Sequence, residues 1–201
     1  TNLAIHLIAM AEAGGFKITI EDIDEIASIT PIIANVYPNG TADVNEFHNS
    51  GGVAAFIGSL LDGGYLFDDV QTLLGYGLGV YRNKLEIQDE SLIWKDKSII
   101  LDQSIIRDIN NPFRQTGGLK LLNGNLGKGV IKTSALKDPD KVIIAPAVVF
   151  NDQENVLKAF NEGELNKDLI IVVRGQGPSA NGMPELHKLT SPLNVLQSKG
   201  F

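Results

Sequence analysis

The apolar run Leu169–Val173 constrains this chain more than any other stretch. Bounded by Asp168 and Arg174, it is too short for a helix and fits a buried strand. The residues that follow, RGQGPSANGMPELHKLTS from Arg174 to Ser191, cannot continue that strand. Gly175, Gly177, Pro178, Gly182 and Pro184 turn the chain and let backbone lie close to a neighbour or a ligand. The same loop carries Arg174, Asn181, Glu185, His187 and Lys188. Loops that leave a buried strand with many polar groups are where sites concentrate. An ordinary solvated connection has the same composition, so the loop alone leaves both readings open.

The chain has 201 residues, enough for one large domain or two small ones. Hydrophobic residues make up 43% and charged residues 20%, a balance that supports a packed core. The net charge of -7 argues against a nucleic-acid or anionic-membrane surface. A local basic pocket for a phosphorylated substrate remains compatible with it. Cysteine is absent, which excludes disulfides, a thiolate nucleophile and a cysteine-ligated cluster made by these residues. No apolar stretch has the length of a membrane span. The first residues show no basic region followed by a cleavage site, and a cytoplasmic protein is expected.

In chain order, Asn2–Ala13 reads as a helix buried over much of its surface and stopped by Gly14-Gly15. His6 on it is expected to be a core histidine bonded to a neighbour. A second helix follows Thr19, carries Ile23, Ile26 and Ala27 on one face, and ends before Pro31. Asp43 and Glu46 form an acceptor and N3 pair for a short helix reaching His48, which is expected only to cap its end. Gly51-Gly52 break that helix and Val53–Leu61 forms the next. Asp68–Tyr81 is expected to be partly helical, and its Gly75–Gly79 stretch lacks the lysine and hydroxyl of a phosphate loop. Leu85–Asn111, mixed in texture, is taken as a linker or peripheral excursion.

After Asn111 the pattern is β-like. Leu119–Leu122 and Val130–Thr133 are short strands around a Gly- and Asn-rich loop, and Val142–Phe150 is a longer edge or bulged strand containing Pro146. Asp152 caps a helix over Gln153–Asn161. Thr190 or Ser191 caps a final helix with Pro192 at its first position. The fold class is α+β, with a boundary near Asn110 between a mainly helical part, 1–110, and a mainly stranded part, 111–201.

The order G-P-x-A-N-G-M-P-E-L-H-K-L from Gly177 to Leu189 resembles the dihydroxyacid dehydratase / phosphogluconate dehydratase family. The likeness extends over nearly the whole chain. It takes in Thr1-Asn2 with Ile5-His6-Leu7, Val36–Gly40, Phe47-His48 before Gly51-Gly52, Asn111-Pro112-Phe113, Gly117–Leu122, Gly124–Gly127 and Ala145–Phe150. The wording from Asn181 to Leu189, with Tyr37–Gly40, is most similar to the phosphogluconate branch. The resemblance implies a chain cut at both ends, since it opens mid-motif at Thr1 and stops at Phe201 where a further strand is expected. It also implies a helical segment of an α/β domain followed by part of a β-barrel-like domain, incomplete at its C-terminal end.

The implied activity is a hydro-lyase that dehydrates 6-phosphogluconate to 2-keto-3-deoxy-6-phosphogluconate, within the Entner–Doudoroff pathway. Dihydroxyacid dehydratase, another sugar-acid dehydratase, or a non-catalytic domain on the same fold are the alternatives. Removing a hydroxyl next to a carbanion needs a Lewis acid for the leaving group and charge for the enolate. In the family these are an iron–sulfur cluster, of 4Fe-4S type, and Mg2+. The family's cluster cysteines and serine base match no position here, so no catalytic residue is assigned. The metal-binding glutamate of the family's Gly-Met-Pro-Glu segment matches Glu185, and a carboxylate suits a hard cation. As a plain acid at a helix start, Glu185 would instead interact with the helix dipole. Arg174, Asn181, His187 and Lys188 are the candidates for the substrate, with Lys120 and Lys132 behind them. The implied partner is a phosphorylated sugar acid, with no nucleic acid and no membrane, in a homodimer.

Overall fold

A computed structural model describes residues 2–134, 136, 142–182 and 186–201. These residues form two compact units, Thr1–Ile20 with Asp138–Phe201 and the intervening Glu21–Lys137. Helices and strands are mixed in both, so the α+β class holds.

The intervening unit holds helices α2 (Ile20–Ile29), α3 (Val44–Asn49) and α4 (Gly52–Asp62). Glu21 and Asp22 lie in the first turn of α2, where the helix dipole favours acids, and Pro31 follows its end. The start of α3 is a complete capping box. The Asp43 carboxylate accepts the Asn45 and Glu46 N–H groups at 2.7 and 2.9 Å, and Glu46 accepts the Asp43 N–H at 2.7 Å. The apolar stretch after Pro31 is clamped along its length. Ile32 exchanges backbone bonds with Phe113 and Arg114, Ile33 accepts from Arg107, and Asn35 donates to Ile105. Ile33 and Ile106, at 1% and 0% exposure, are the centre of this unit's core.

Two expectations for this unit are corrected. Asp68–Tyr81 contains no α-helix and is helical only in a 3-10 turn at its end. It forms two short antiparallel strands, β1 (Gln71–Thr72) and β2 (Gly75–Tyr76), and then a 3-10 turn at Gly79–Arg82. Gly75 and Gly77 sit at φ +122° and +92°, which no helix uses, and the Asp68 carboxylate holds the Leu78 N–H. Leu85–Asn111 is not a linker throughout, because β3 (Asn83–Gln88) and β4 (Ser91–Lys97) form an antiparallel hairpin there. Its turn residues Asp89 and Glu90 both have positive φ, the geometry of a tight hairpin turn. The mixed texture of β3 is a two-residue alternation of polar and apolar side chains, Lys84-Leu85-Glu86-Ile87-Gln88.

Farther on, the two expected strands are present but longer, β5 (Leu119–Gly124) and β6 (Gly127–Lys132), and they pair antiparallel with the expected loop shortened to a tight turn. The hairpin is tied to α2, where Asp24 accepts the Leu121 N–H at 2.6 Å and Glu21 pairs with Lys128.

The other unit begins with α1 (Asn2–Ala13). The expected burial of α1 is not found: Ala4 is buried, but Leu3 and Met10 are 76% and 60% exposed. His6 is half-buried. Val142–Phe150 is not one long strand, since only β7 (Ala147–Phe150) is extended and paired. Pro146 precedes it and accepts the Ile170 N–H. Then α5 (Gln153–Asn161), capped by the Asp152 carboxylate on the Asn155 N–H, carries the chain to β8 (Ile170–Val173). β7 and β8 pair in parallel from Ala147↔Ile170 to Phe150↔Val173, giving a βαβ unit. β8 is half-buried rather than buried, with Ile170 40% exposed. α6 (Pro178–Asn181), a 3-10 turn at His187–Leu189 and α7 (Thr190–Ser198) complete it.

Neither Thr190 nor Ser191 caps α7. The 3-10 turn runs directly into it, Leu189 is its first flanking residue, and Pro192 falls inside the first turn, where no N–H is required. The core here is Val156, Ala159, Leu165, Leu189 and Leu196, against which Phe150, Ile171 and Val173 pack. Among the described residues the strands form four two-stranded sheets and no closed one.

Candidate functional site

The loop after β8 begins where a parallel pair of strands ends. The carboxyl ends of β7 and β8 lie together, at Phe150 and Val173, and the Arg174 N–H still donates to the Phe150 carbonyl at 2.8 Å. The first of these ends leads through Asp152 into α5, so the start of α5 and the loop share one end of the βαβ unit. In parallel sheets this end is where ligands are held.

Two side-chain contacts fasten the loop to that helix start. Gln153 donates to the Gln176 amide oxygen at 3.1 Å, and Gln176 donates to the Arg174 carbonyl at 3.2 Å. Lys188 pairs with Glu154, in the first turn of α5, at 3.8 Å. Between these contacts Gly177 and Pro178 open the single turn of α6, Asn181 donates its N–H to Gly177 at 3.0 Å, and Gly182 follows the turn at φ +66°. Leu189, buried at 4%, anchors the far end of the loop in the core.

Of the candidates, Arg174, Asn181 and Lys188 are exposed on this loop. Their solvated, mobile-length side chains suit an anionic ligand arriving from solvent more than a preformed buried site. His187 opens the 3-10 turn. Glu185 lies outside the described residues. Lys120 and Lys132 belong to the β5–β6 hairpin, in the other compact unit, exposed and half-buried respectively. Gln153, Gln176 and Glu154 were not singled out from sequence. Only the Asp152 cap, which fixes where α5 starts, signals that residues 153 and 154 stand at this end.

The cofactors implied by the resemblance can be compared with these residues. A thiolate-ligated cluster does not fit a chain without cysteine. Among the described residues no three His, Asp or Glu side chains gather into a metal site. Magnesium does not demand such a group, because it keeps several waters and takes one or two protein carboxylates. Glu185 could be one of these.

A second concavity lies in the intervening unit, a cleft of about 580 Å3 between α4 and the β3–β4 hairpin. His48, expected only to cap α3, lines it, with Tyr81, Trp94 and three lysines. At its edge Asp62 accepts from Lys97 at 2.9 Å and from Arg82 at 2.5 Å, and these cations hold its carboxyl below the usual range.

Comparison with known proteins gives the family. The chain is 48% identical over 202 residues to a phosphogluconate dehydratase of Pseudomonas aeruginosa and 46% identical over 204 residues to that of Escherichia coli (strain K12). It is 32% identical over 203 residues to a dihydroxy-acid dehydratase of Synechococcus sp. (strain CC9902). Each match covers 100% of this chain, which spans about a third of the length of these relatives. The dihydroxy-acid/6-phosphogluconate dehydratase family model matches with its N-terminal part over residues 1–81 and its C-terminal part over 104–200. With both parts matched in order and this chain aligned over its whole length, the chain belongs to the dihydroxy-acid/6-phosphogluconate dehydratase family.

Proposed function

We propose that this chain is part of a hydro-lyase that dehydrates 6-phosphogluconate to 2-keto-3-deoxy-6-phosphogluconate. The observation that carries the reading is the contrast in identity, 46–48% to phosphogluconate dehydratases against 32% to a dihydroxy-acid dehydratase, over the same full span. The loop from Gly177 to Leu189 supports it, standing at the carboxyl end of a parallel strand pair with exposed Arg174, Asn181 and Lys188.

In this reading an iron–sulfur cluster, held by residues other than these 201, would supply Lewis acidity toward the departing hydroxyl. Glu185 contributes a hard oxygen ligand to magnesium at the substrate's carboxylate end. Arg174, Asn181, His187 and Lys188 hold the phosphorylated acid, a role that charge-assisted bonds to phosphate oxygens would make orientational as well as attractive. A division near residue 110 belongs to this reading, and the two family matches, over 1–81 and 104–200, support two parts in the chain without fixing that boundary. A β-barrel-like second domain would draw further strands from the rest of the relatives' length. A cytoplasmic homodimer completes the reading. None of the described helices is long and apolar enough to cross a membrane.

The test is turnover by the complete protein under anaerobic conditions, with 6-phosphogluconate, unphosphorylated gluconate and a branched 2,3-dihydroxy acid compared by kcat/KM. The phosphorylated acid should be preferred. Preference for the branched acid would replace this reading with the dihydroxyacid dehydratase one.

A further inference from the structure

The cleft between α4 and the β3–β4 hairpin is built largely from residues that neither part of the family model matches. Lys84, Leu85, Trp94, Lys95 and Lys97 all fall in the interval between residues 81 and 104. Elsewhere in the lining, His48, Gly51, Ile57 and Tyr81 lie within the N-terminal match. The cleft's volume, about 580 Å3, is in the range that takes a small organic molecule.

Its walls have a definite chemistry. Ile57 and Leu85 make one apolar side. Trp94 stands edge-to-face with Tyr81, ring centroids 6.2 Å apart at 80°, so the indole is held in a fixed orientation while 36% of the residue stays exposed. Such an indole presents a face to a flat ring. The floor at α4 depends on Gly51, whose φ of +119° and 2.4 Å approach of a would-be Cβ to the Ile99 carbonyl admit no side chain.

The rim is cationic. Lys84, Lys95 and Lys97 line the cleft against one acid, Asp96, on a chain whose net charge is -7. Lys84 and Lys97 are balanced by Glu86 at 2.8 Å and Asp62 at 2.9 Å. Lys95 donates to the neutral amide of Gln88 at 3.3 Å and is in no ion pair among the described residues. Glu86, in contact with Lys84, also feels the charge of Lys95 from farther off, so Lys95 is the least neutralised of the three, and a cation beside low-dielectric walls attracts an anion more strongly than one on an open surface.

We propose that this cleft binds a small organic anion that combines a flat ring with a phosphate or carboxylate, the ring on Trp94 and the anionic group at Lys95. The inference goes beyond the dehydratase reading and does not rest on it. The probe is adenosine 5′-monophosphate, titrated calorimetrically into the complete protein, with adenosine, inorganic phosphate and indole-3-acetate as separate arms. Saturable binding of the monophosphate is expected, tighter than that of adenosine or phosphate alone. Lys95→Ala should weaken the monophosphate about tenfold and leave adenosine unchanged. Trp94→Ala should weaken both, and Trp94→Phe, which keeps a ring against Tyr81, should retain most of the affinity. No saturable binding of the monophosphate or of indole-3-acetate at millimolar concentration overturns the proposal. So does binding indifferent to both substitutions, or an indole at position 94 closed to acrylamide quenching in the unliganded complete protein, which would mean that polypeptide fills the cleft.

Discussion

Truncating Val156 tests whether α5 is the support on which the loop after β8 depends. Val156 is 1% exposed and touches a core of Ala159, Leu165, Leu189 and Leu196. Val156→Ala removes two buried carbon groups, about 1.6 kcal/mol by transfer, and leaves a cavity that raises the cost to about 2–3 kcal/mol. The same helix presents Gln153 and Glu154 to Gln176 and Lys188, so loosening α5 also loosens the loop. Because the chain divides into two compact units, one global unfolding curve would average over both. Hydrogen exchange read by segment avoids this. Amides of α5, β7 and β8 should exchange about a hundredfold faster in the variant, while those of α4 and the β5–β6 hairpin stay as they were. Val195→Ala, at a residue 41% exposed on α7, is the control and should change exchange little. Equal acceleration in both units, or none in α5, would refute the argument that Val156 secures this unit and its loop.

Three other outcomes are expected. Asp43→Ala removes the side-chain acceptor of the capping box on α3 and leaves its backbone N–H to Glu46, and should cost about 1 kcal/mol, seen as faster exchange confined to α3, with no change counting against it. Glu21 titrates below its usual 4.5 chiefly because Lys128 donates to it, so its contribution to stability is complete above that value and is lost as pH falls through the lowered one. Carboxyl NMR of Lys128→Ala should show Glu21 titrating higher, and an unmoved titration would exclude the pair as the cause. In the complete enzyme, Glu185→Gln should lower kcat about a hundredfold and weaken the magnesium dependence with little loss of stability. Wild-type turnover at unchanged magnesium dependence would reject the metal role.

Local signals were legible wherever one short motif decides the structure. Asp43 with Glu46, Asp152 before Gln153, and the Gly124–Gly127 turn each act within a few residues, and each gives the element it predicts. The β3–β4 hairpin was hidden because charged and apolar residues do not divide between an exposed and a buried side: Ile87 and Leu92 are 78% and 68% exposed while Glu86 is half-buried. Burial was legible only in part. Leu3, Met10 and Ile170 are apolar enough for a core, yet the described residues leave them exposed, because sequence specifies what a side chain can bury but not what is present to cover it. At the loop, Gly, Pro and the polar set could be read directly. Its attachment to α5 could not, since the Gln153–Gln176 bond joins residues 23 apart and no periodicity encodes it.

That attachment also bears on how the proposed chemistry is divided. The proposed dehydration needs a Lewis acid for the departing hydroxyl and hard charge for the carboxylate, and a chain without cysteine offers no thiolate ligand for the first. Hard-cation and phosphate recognition depend on positioning oxygen and nitrogen ligands, which is what a loop pinned at both ends provides. Gln176 fixes the first turn of the loop to α5, and Lys188 with the buried Leu189 fixes the last. Gly177 to Gly182 are thereby held at one end of the βαβ unit, whichever ligand they meet. The exposed Lys188–Glu154 pair is worth little to stability. Its proposed value lies in restricting where the loop's acid and amides can go, so breaking it should raise KM for the substrate before it lowers the resistance of the fold to unfolding.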